Sequence, residues 1–522
     1  MNKKKQSFLL SFLLLFSIYC AIRIGQSWDE GFHYNQGKIT LEYLFSLGRV
    51  DTDLSFREYY SPIYWSLQYF IAEIFPSKYT IEILHLTNLT FSLCIIFGIG
   101  KIGKELFNQT VGKIIFLILF FYPAFFGQMS FNPKDTILAF SHVWITYFTI
   151  RYLKEQHINK KRNKYLLRLS LLAALSTGIQ LVFLGSMIPL LLFLILEISI
   201  FKKIININFS MKKFLYDLIK CFILFYLVLV LFWIDAHPNI FILPLKFITE
   251  TFFTNFWTGW PYNLLNGNYL SANEVPGSYF FIYIFYKSPE YFLICYLFFI
   301  LSYFKLKDFY KKEFSFFNYK LLFLIFILIY PGLVLFIIPY PIYDGLRLFY
   351  WTLPYLAVIP SLLIYYLIKN INYLRSKISI LIISSASLIF LYNFIMITPY
   401  QYTYLNVFSG PAKNRFNKFE NDYWGGSIKE LVKKTKFENN HIIKLSTCGV
   451  NPKIPKKYFR KRGLNLVQFV RPEESKYMLM TNRTIFDNKT GKISNCFNTY
   501  KGKNIYEVKR NGLILSSIRE IN

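Results

Sequence analysis

Two adjacent carboxylates, Asp29 and Glu30, lie in SWDEGFHYNQGK at residues 27–38, directly after the apolar run FLLSFLLLFSIYCAI at residues 8–22. A third acid, Asp135, lies in SFNPKDTILAF, and Asp344 with Arg347 lies in YDGLRLFYWTLP, each again at the edge of an apolar run. A carboxylate within hydrogen-bond reach of a hydroxyl can take its proton as that hydroxyl attacks. A guanidinium offers a planar fork to a phosphate or a carboxylate. Each residue also has a plainer reading. Paired acids are common on solvated loops, Asp135 can cap a helix with Lys134 beside it, and Arg347 can pair locally with Asp344 or snorkel to a membrane surface. The acids draw interest because they recur at the mouths of apolar segments, where charge is costly and usually has a role.

The elements that must position them are membrane helices. The 522 residues are 54% hydrophobic and 20% aromatic, with mean hydropathy +0.34. Apolar runs near the ~20 residues needed to span a bilayer recur through residue 397. Eleven spans are predicted, at about 7–22, 80–100, 113–129, 136–152, 167–184, 185–200, 219–236, 289–305, 320–338, 349–367 and 378–396. Lys3, Lys4 and Lys5 precede the first, and no small-x-small cleavage site follows, so it reads as an uncleaved helix. Loops on one side carry 26 Lys plus Arg, against 9 on the other before the tail. The positive-inside rule then puts the N-terminus in the cytoplasm and both SWDEGF and residues 398–522 outside. The net charge of +30 lies mostly between spans, so no nucleic-acid partner is expected.

The outer loops at 23–79 and 237–288 are long and rich in Trp and Tyr, and SPIYWSLQYFIAEIF reads as a helix lying along the membrane. In the tail, GGSIKELVKKTKF reads as a helix, and HIIKLSTC and SKYMLM read as strands. The end reads as a hairpin turning at Asn511-Gly512. The fold class is therefore a polytopic α-helical membrane protein of about eleven transmembrane helices over residues 1–397, with a small C-terminal α/β extracytoplasmic domain over 398–522. Cys20, Cys94, Cys221 and Cys295 read as packing residues. Cys448 and Cys496 in the tail admit a disulfide.

In order and sidedness these motifs resemble the GT-C superfamily of membrane glycosyltransferases, in its protein O-mannosyltransferase and aminoarabinose-transferase branch. That family places an acidic pair just after its first span and another acid in its second outer loop, where WDEGFHYNQGK and NPKD stand here. NGNYLSANEVPGSYFFIYIFYKSP at 266–289 and YTYLNVFSG with FENDYWGGSIKE in the tail resemble further family segments. YDGLR resembles a segment that continues with His in some bacterial members; Leu348 stands there instead.

The resemblance implies transfer of a sugar from a polyprenyl-phosphate donor to a lipid, glycan or protein acceptor at the outer face of the cytoplasmic membrane. Phosphate is a good leaving group, so the acceptor hydroxyl is the partner that needs help, and attack opposite the phosphate inverts the anomeric carbon. On this reading Asp29 is the base, and Glu30 and Asp135 orient the acceptor or the base. Arg347, Lys134 and Lys287 are the candidates for the donor phosphate. His33, one helical turn after Asp29, is placed to tune it. Trp257, Trp260, Tyr262, Tyr269 and Tyr279 could stack on sugar or lipid, although an aromatic belt at the interface explains them as well. No cofactor is required. The acid count admits a divalent cation at Asp29, Glu30 or Asp135, but no compact ligand spacing appears. The competing class is a multi-pass transporter or lipid flippase, which predicts ionisable groups midway through the spans and paired broken helices.

Overall fold

A computed structural model describes residues 3–49, 59–253, 259–370, 377–437, 442–488 and 490–521. Its helices are α1 (Lys3–Arg23), α2 (Glu30–Phe45), α3 (Ile63–Glu73), α4 (Thr80–Leu106), α5 (Gln109–Phe120), α6 (Asp135–Glu155), α7 (Asn159–Ile179), α8 (Ile188–Leu196), α9 (Met211–Leu231) and α10 (Leu243–Phe253). They continue with α11 (Tyr279–Lys287), α12 (Glu290–Glu313), α13 (Phe317–Ile337), α14 (Val358–Lys369), α15 (Lys377–Met396), α16 (Ile428–Lys434) and α17 (Lys453–Lys461).

Helix occurs at all eleven predicted span positions, and among the described residues six stretches are long and apolar enough to cross a membrane: Lys4–Arg23, Ser77–Leu106, Phe183–Phe201, Met211–Leu231, Phe317–Ile337 and Arg347–Lys369. The clearest departure is the span expected at 113–129. Its helix α5 stops at Phe120, and Pro123, which cannot continue the backbone hydrogen-bond ladder, opens a separate turn at Pro123–Phe126.

The segments at one end of the helices build the platform for the site. α2 and α3 form the helical first loop. Buried polar side chains on the N-terminal half of α4 hold the NPKD loop: Asn88 Nδ2 donates to the carbonyls of Met129 (3.0 Å) and Asn132 (3.1 Å), and Ser92 Oγ donates to that of Met129 (2.6 Å). Trp65 of α3 donates its indole N–H to the Pro133 carbonyl at 3.2 Å. Backbone carbonyls in a buried loop need such donors, so these polar residues on apolar helices fix the NPKD loop.

Strands β1 (Tyr262–Leu265) and β2 (Asn268–Ser271) form a hairpin in the later outer loop. The tail carries β3 (Ile443–Cys448), β4 (Val467–Phe469), β5 (Tyr477–Thr481), β6 (Thr484–Asp487), β7 (Lys492–Asn495), β8 (Lys503–Arg510) and β9 (Leu513–Glu520). Five of these make a sheet in the order β4-β3-β5-β9-β8, with β3 parallel to β4 and β5 and the rest antiparallel. The last hairpin turns at Asn511 and Gly512, both with positive φ (46° and 75°), as a tight right-twisting hairpin requires. Cys448 and Cys496 are disulfide-bonded.

The tail's core is shared with the membrane part. Ile24 and Phe131 pack in one cluster with Tyr400, Tyr402, Trp424 and Ile428. At the α1–α2 turn, Gly25 N–H donates to the Gly426 carbonyl at 2.8 Å; a Cβ on Gly25 would lie 2.7 Å from that oxygen, so only glycine permits this approach. Beside it, Gln26 N–H donates to Tyr458 Oη (2.8 Å) and Lys429 reaches Glu82 of α4 (2.9 Å).

Candidate active site

The guanidinium of Arg347 gathers three carboxylates from three separate loops. Nε donates to Asp135 Oδ2 at 2.9 Å, Nη1 to Asp344 Oδ2 at 2.8 Å, and Nη2 to Asp29 Oδ2 at 3.1 Å. Local sequence explains each placement. Asp344 (φ 60°) and Gly345 (φ 64°) make a left-handed turn, a conformation that Asp tolerates and Gly favours. A Cβ on Gly345 would sit 3.0 Å from the Tyr283 ring. This turn brings Asp344 and Arg347, three residues apart, face to face.

Asp135 begins α6 but does not cap it. Asn132 does so instead: its Oδ1 accepts the Asp135 N–H at 3.0 Å, and its Nδ2 donates to Asp135 Oδ2 at 3.1 Å. The Asp135 carboxylate is thereby left for Arg347. Asp29 stands at the N-cap of α2 and makes no side-chain cap bond. An Asp there normally satisfies a free helix N–H, worth about 1 kcal/mol; this one turns to Arg347 instead.

Glu30 points the other way. Its Oε2 accepts the Ser27 N–H at 2.5 Å, and its Oε1 lies 2.9 Å from His85 Nε2 on α4. The adjacent acids thus split, one facing the cluster and one pinning the α1–α2 turn to the membrane bundle. His33 does not reach the Asp29 carboxylate. It is buried, stacked on Trp65 with ring centroids 4.1 Å apart, and burial, with Lys134 and Arg347 nearby, holds its pKa well below the usual 6.5.

The candidate phosphate ligands separate. The Arg347 fork is turned onto carboxylates. Lys134 lies over the Tyr60 ring (5.2 Å) and within electrostatic reach of Arg347 and Asp135; among the described residues its ammonium makes no ion pair. Lys287 lies elsewhere, donating to the Tyr402 carbonyl at 3.0 Å, and burial pulls its pKa down to about 7.

The aromatic candidates separate too. Tyr279 is buried, donating to Asn263 Oδ1 (3.2 Å) and accepting the Gly345 N–H (3.0 Å), so it supports the YDG turn. Tyr269 Oη accepts from Asn495 Nδ2 in the tail at 2.9 Å. Trp260 meets Trp28 edge-on at 5.8 Å and carries Arg483 on its face at 4.4 Å. Trp257 lies outside the described residues.

From sequence the tail is expected to hold no catalytic group and, through its basic charge, to guide an anionic acceptor or headgroup; in the structure it also closes the site. Arg483 pairs with Asp344 Oδ1 at 2.7 Å, so Asp344 bridges two guanidiniums. Trp424 lies under Arg347, 4.5 Å from the ring centroid to the guanidinium carbon. The one signal for them in the sequence is the family-like segment FENDYWGG, which contains Trp424; nothing local marks Arg483.

Three carboxylates meet two arginines in one charge network, sealed except at Asp29, whose members depend on one another. Within it the carboxylates differ in access. The side chains of Asp135 and Asp344 are 4% and 1% exposed, whereas that of Asp29 is 31% exposed. Asp29 lines a cleft of about 500 Å³ with Gln26, Trp28, Gly31, Asn35 and residues of α17. Among the described residues no group of three His, Cys, Asp or Glu is arranged to hold a metal ion.

With the fold and site in hand, known structures show the same fold. The chain matches ArnT from Cupriavidus metallidurans in its apo state at a TM-score of 0.53 and 11% identity, over 99% of this chain and 98% of that one. ArnT from the same organism bound to undecaprenyl phosphate matches at 0.53 and 10%, over the same shares. No family model and no curated relative matches the chain. The chain shares the ArnT fold over nearly its whole length, tail included.

Proposed function

We propose that the protein transfers a sugar from a polyprenyl-phosphate donor to an acceptor at the outer face of the cytoplasmic membrane, with inversion at the anomeric carbon. Residues 1–397 form the membrane transferase and residues 398–522 cap it from outside. The observation that carries the reading is the unequal access of the Arg347 carboxylates: Asp29 alone among the three opens on the cleft. A base must touch both its orienter and its substrate, and Asp29 has that geometry. ArnT bound to undecaprenyl phosphate shares the fold and supports the donor class.

In this mechanism the donor phosphate departs as the acceptor hydroxyl attacks from the opposite side. Asp29 accepts the hydroxyl proton. Arg347, held by Asp135 and Asp344 and backed by Trp424, fixes the Asp29 carboxylate. Lys134, whose ammonium is not committed to a carboxylate, faces the phosphate. Asp29→Asn keeps the shape but loses the proton acceptor, so transfer falls about 10²–10⁴-fold while donor binding persists. Glu30→Gln, which disturbs the contacts with His85 and the Ser27 N–H but not Asp29, lowers stability and leaves most of the rate. Purified, folded variants assayed separately for polyprenyl-phosphate binding and for transfer decide the matter. Wild-type transfer by Asp29→Asn would falsify the assignment.

A further inference from the structure

The cleft at Asp29 has one wall from the membrane part and one from the tail. Gln26, Asp29 and Asn35 line the first; Asn451, Lys453 and Lys457 line the second. The tail wall is the basic face of α17, on which Lys453, Lys456, Lys457, Arg460 and Lys461 follow one another while Ile454, Pro455 and Phe459 are buried beneath. Tyr458 and Lys461 dock this helix on the outer mouth of the bundle, on Gln26 N–H and on the Lys78 carbonyl.

Two features of the cleft call for a ligand. First, neither Lys453 nor Lys457 makes an ion pair among the described residues. The carboxylates nearest Lys457 are already taken, Glu30 by His85 and Glu82 by Lys429. Lys457 is half-buried, and burial, with Lys461 adding to it, pulls its pKa down. A partly desolvated ammonium without a counter-ion is costly, and an anion would relieve it. Second, Gln26 is 9% exposed, and its Oε1 has no partner among the described residues. A buried amide without a partner on the cleft wall leaves a hydrogen-bonding group for an occupant.

Resting on the transferase reading above, we propose that this cleft is the acceptor subsite and that it takes an anionic acceptor. Lys453 and Lys457 hold a phosphate or carboxylate on the acceptor while a hydroxyl of the same molecule faces Asp29. An anion placed directly at Asp29 would be repelled; held across the cleft by the α17 lysines, it anchors the acceptor and leaves the carboxylate to its proton. The tail then chooses the acceptor, and the membrane part supplies the base.

The test uses full-length protein in phosphatidylcholine nanodiscs, titrated with glucose 6-phosphate, methyl glucoside and undecaprenyl phosphate. The wild type binds glucose 6-phosphate at least about tenfold more tightly than methyl glucoside, and added salt narrows the gap because the lysines are partly exposed. The double variant Lys453→Gln, Lys457→Gln loses that preference while keeping its affinity for undecaprenyl phosphate. Lys453→Arg with Lys457→Arg, which preserves charge, retains the preference and guards against a folding artefact. Equal binding of the two sugars by the wild type overturns the proposal, as does a preference that survives in the Gln variant. Loss of undecaprenyl phosphate binding in the Gln variant also overturns it, by assigning the lysines to the donor. If the anion preference holds but the wild type moves no sugar from any polyprenyl-phosphate donor, the transferase reading fails and the cleft is an anion site without an acceptor role.

Discussion

Arg347 spends its donors on three acids, and this decides what its substitutions do. Removing it to Ala leaves Asp135 buried with its charge uncompensated and Asp344 with Arg483 alone, which costs on the order of 3–5 kcal/mol of stability. Arg347→Lys is the informative change. It keeps the positive charge but cannot bond in a planar fork to carboxylates on three sides. If Arg347 serves to hold Asp29, the Lys variant loses about tenfold or more in the rate of transfer with little change in donor affinity. Undecaprenyl phosphate binding and transfer kinetics measured side by side separate this from a phosphate-binding role, in which affinity falls instead. From sequence, YDGLR marked Arg347 and Asp344 as a pair, and that local contact is present. The contacts with Asp29 and Asp135 span more than 200 residues of chain, and no local pattern encodes them.

At the scale of elements, apolar runs and turn residues were informative because they act locally. The α16 helix, the β3 and β5 strands and the Asn511-Gly512 hairpin form where composition and turn chemistry put them. Helix ends were harder to read where, as at Asn88 and Ser92 of α4, polar side chains act through tertiary hydrogen bonds. The joint between tail and bundle was not legible, because it is made of single side chains from distant strands. Glu420 lies in that joint: its Oε1 accepts the Thr484 N–H at 2.6 Å. Burial, opposed by Arg483 and reinforced by Asp344, pushes its pKa up to about 7 from an ordinary 4.5. A carboxyl raised in the fold holds its proton there while the unfolded chain releases it. Its contribution to stability is therefore full below about pH 4.5 and is lost as pH rises through about 7. Thermal melting of the wild type should fall across that window, by on the order of 3 kcal/mol in stability at full span. Glu420→Gln, which cannot ionise, should flatten the profile; an unchanged slope in that variant would remove Glu420 as its source.

For the whole molecule, the question is which side of the membrane the site faces. Asp29 follows the end of α1, Glu82 and His85 lie near the start of α4, Asp135 starts α6, and Arg347 starts the stretch Arg347–Lys369. These helix ends meet at one face, where the tail docks. The opposite ends carry Lys101 and Lys104 on α4, Lys154 on α6 and Lys369 on α14. By the positive-inside rule, the 26-to-9 imbalance of Lys plus Arg between the two sets of loops predicts a cytoplasmic basic face. On that prediction the site and the tail face outward, where a bilayer-anchored lipid phosphate is the accessible sugar carrier. The tail's 24 basic and 9 acidic residues do not weaken this, because long translocated segments escape the charge rule. A reporter that is active only outside the cytoplasm should work when fused after residue 522 and stay silent when inserted within 155–165. The mirrored result would place Asp29 in the cytoplasm, within reach of soluble nucleotide sugars, and both the orientation and the lipid-linked donor would have to be abandoned.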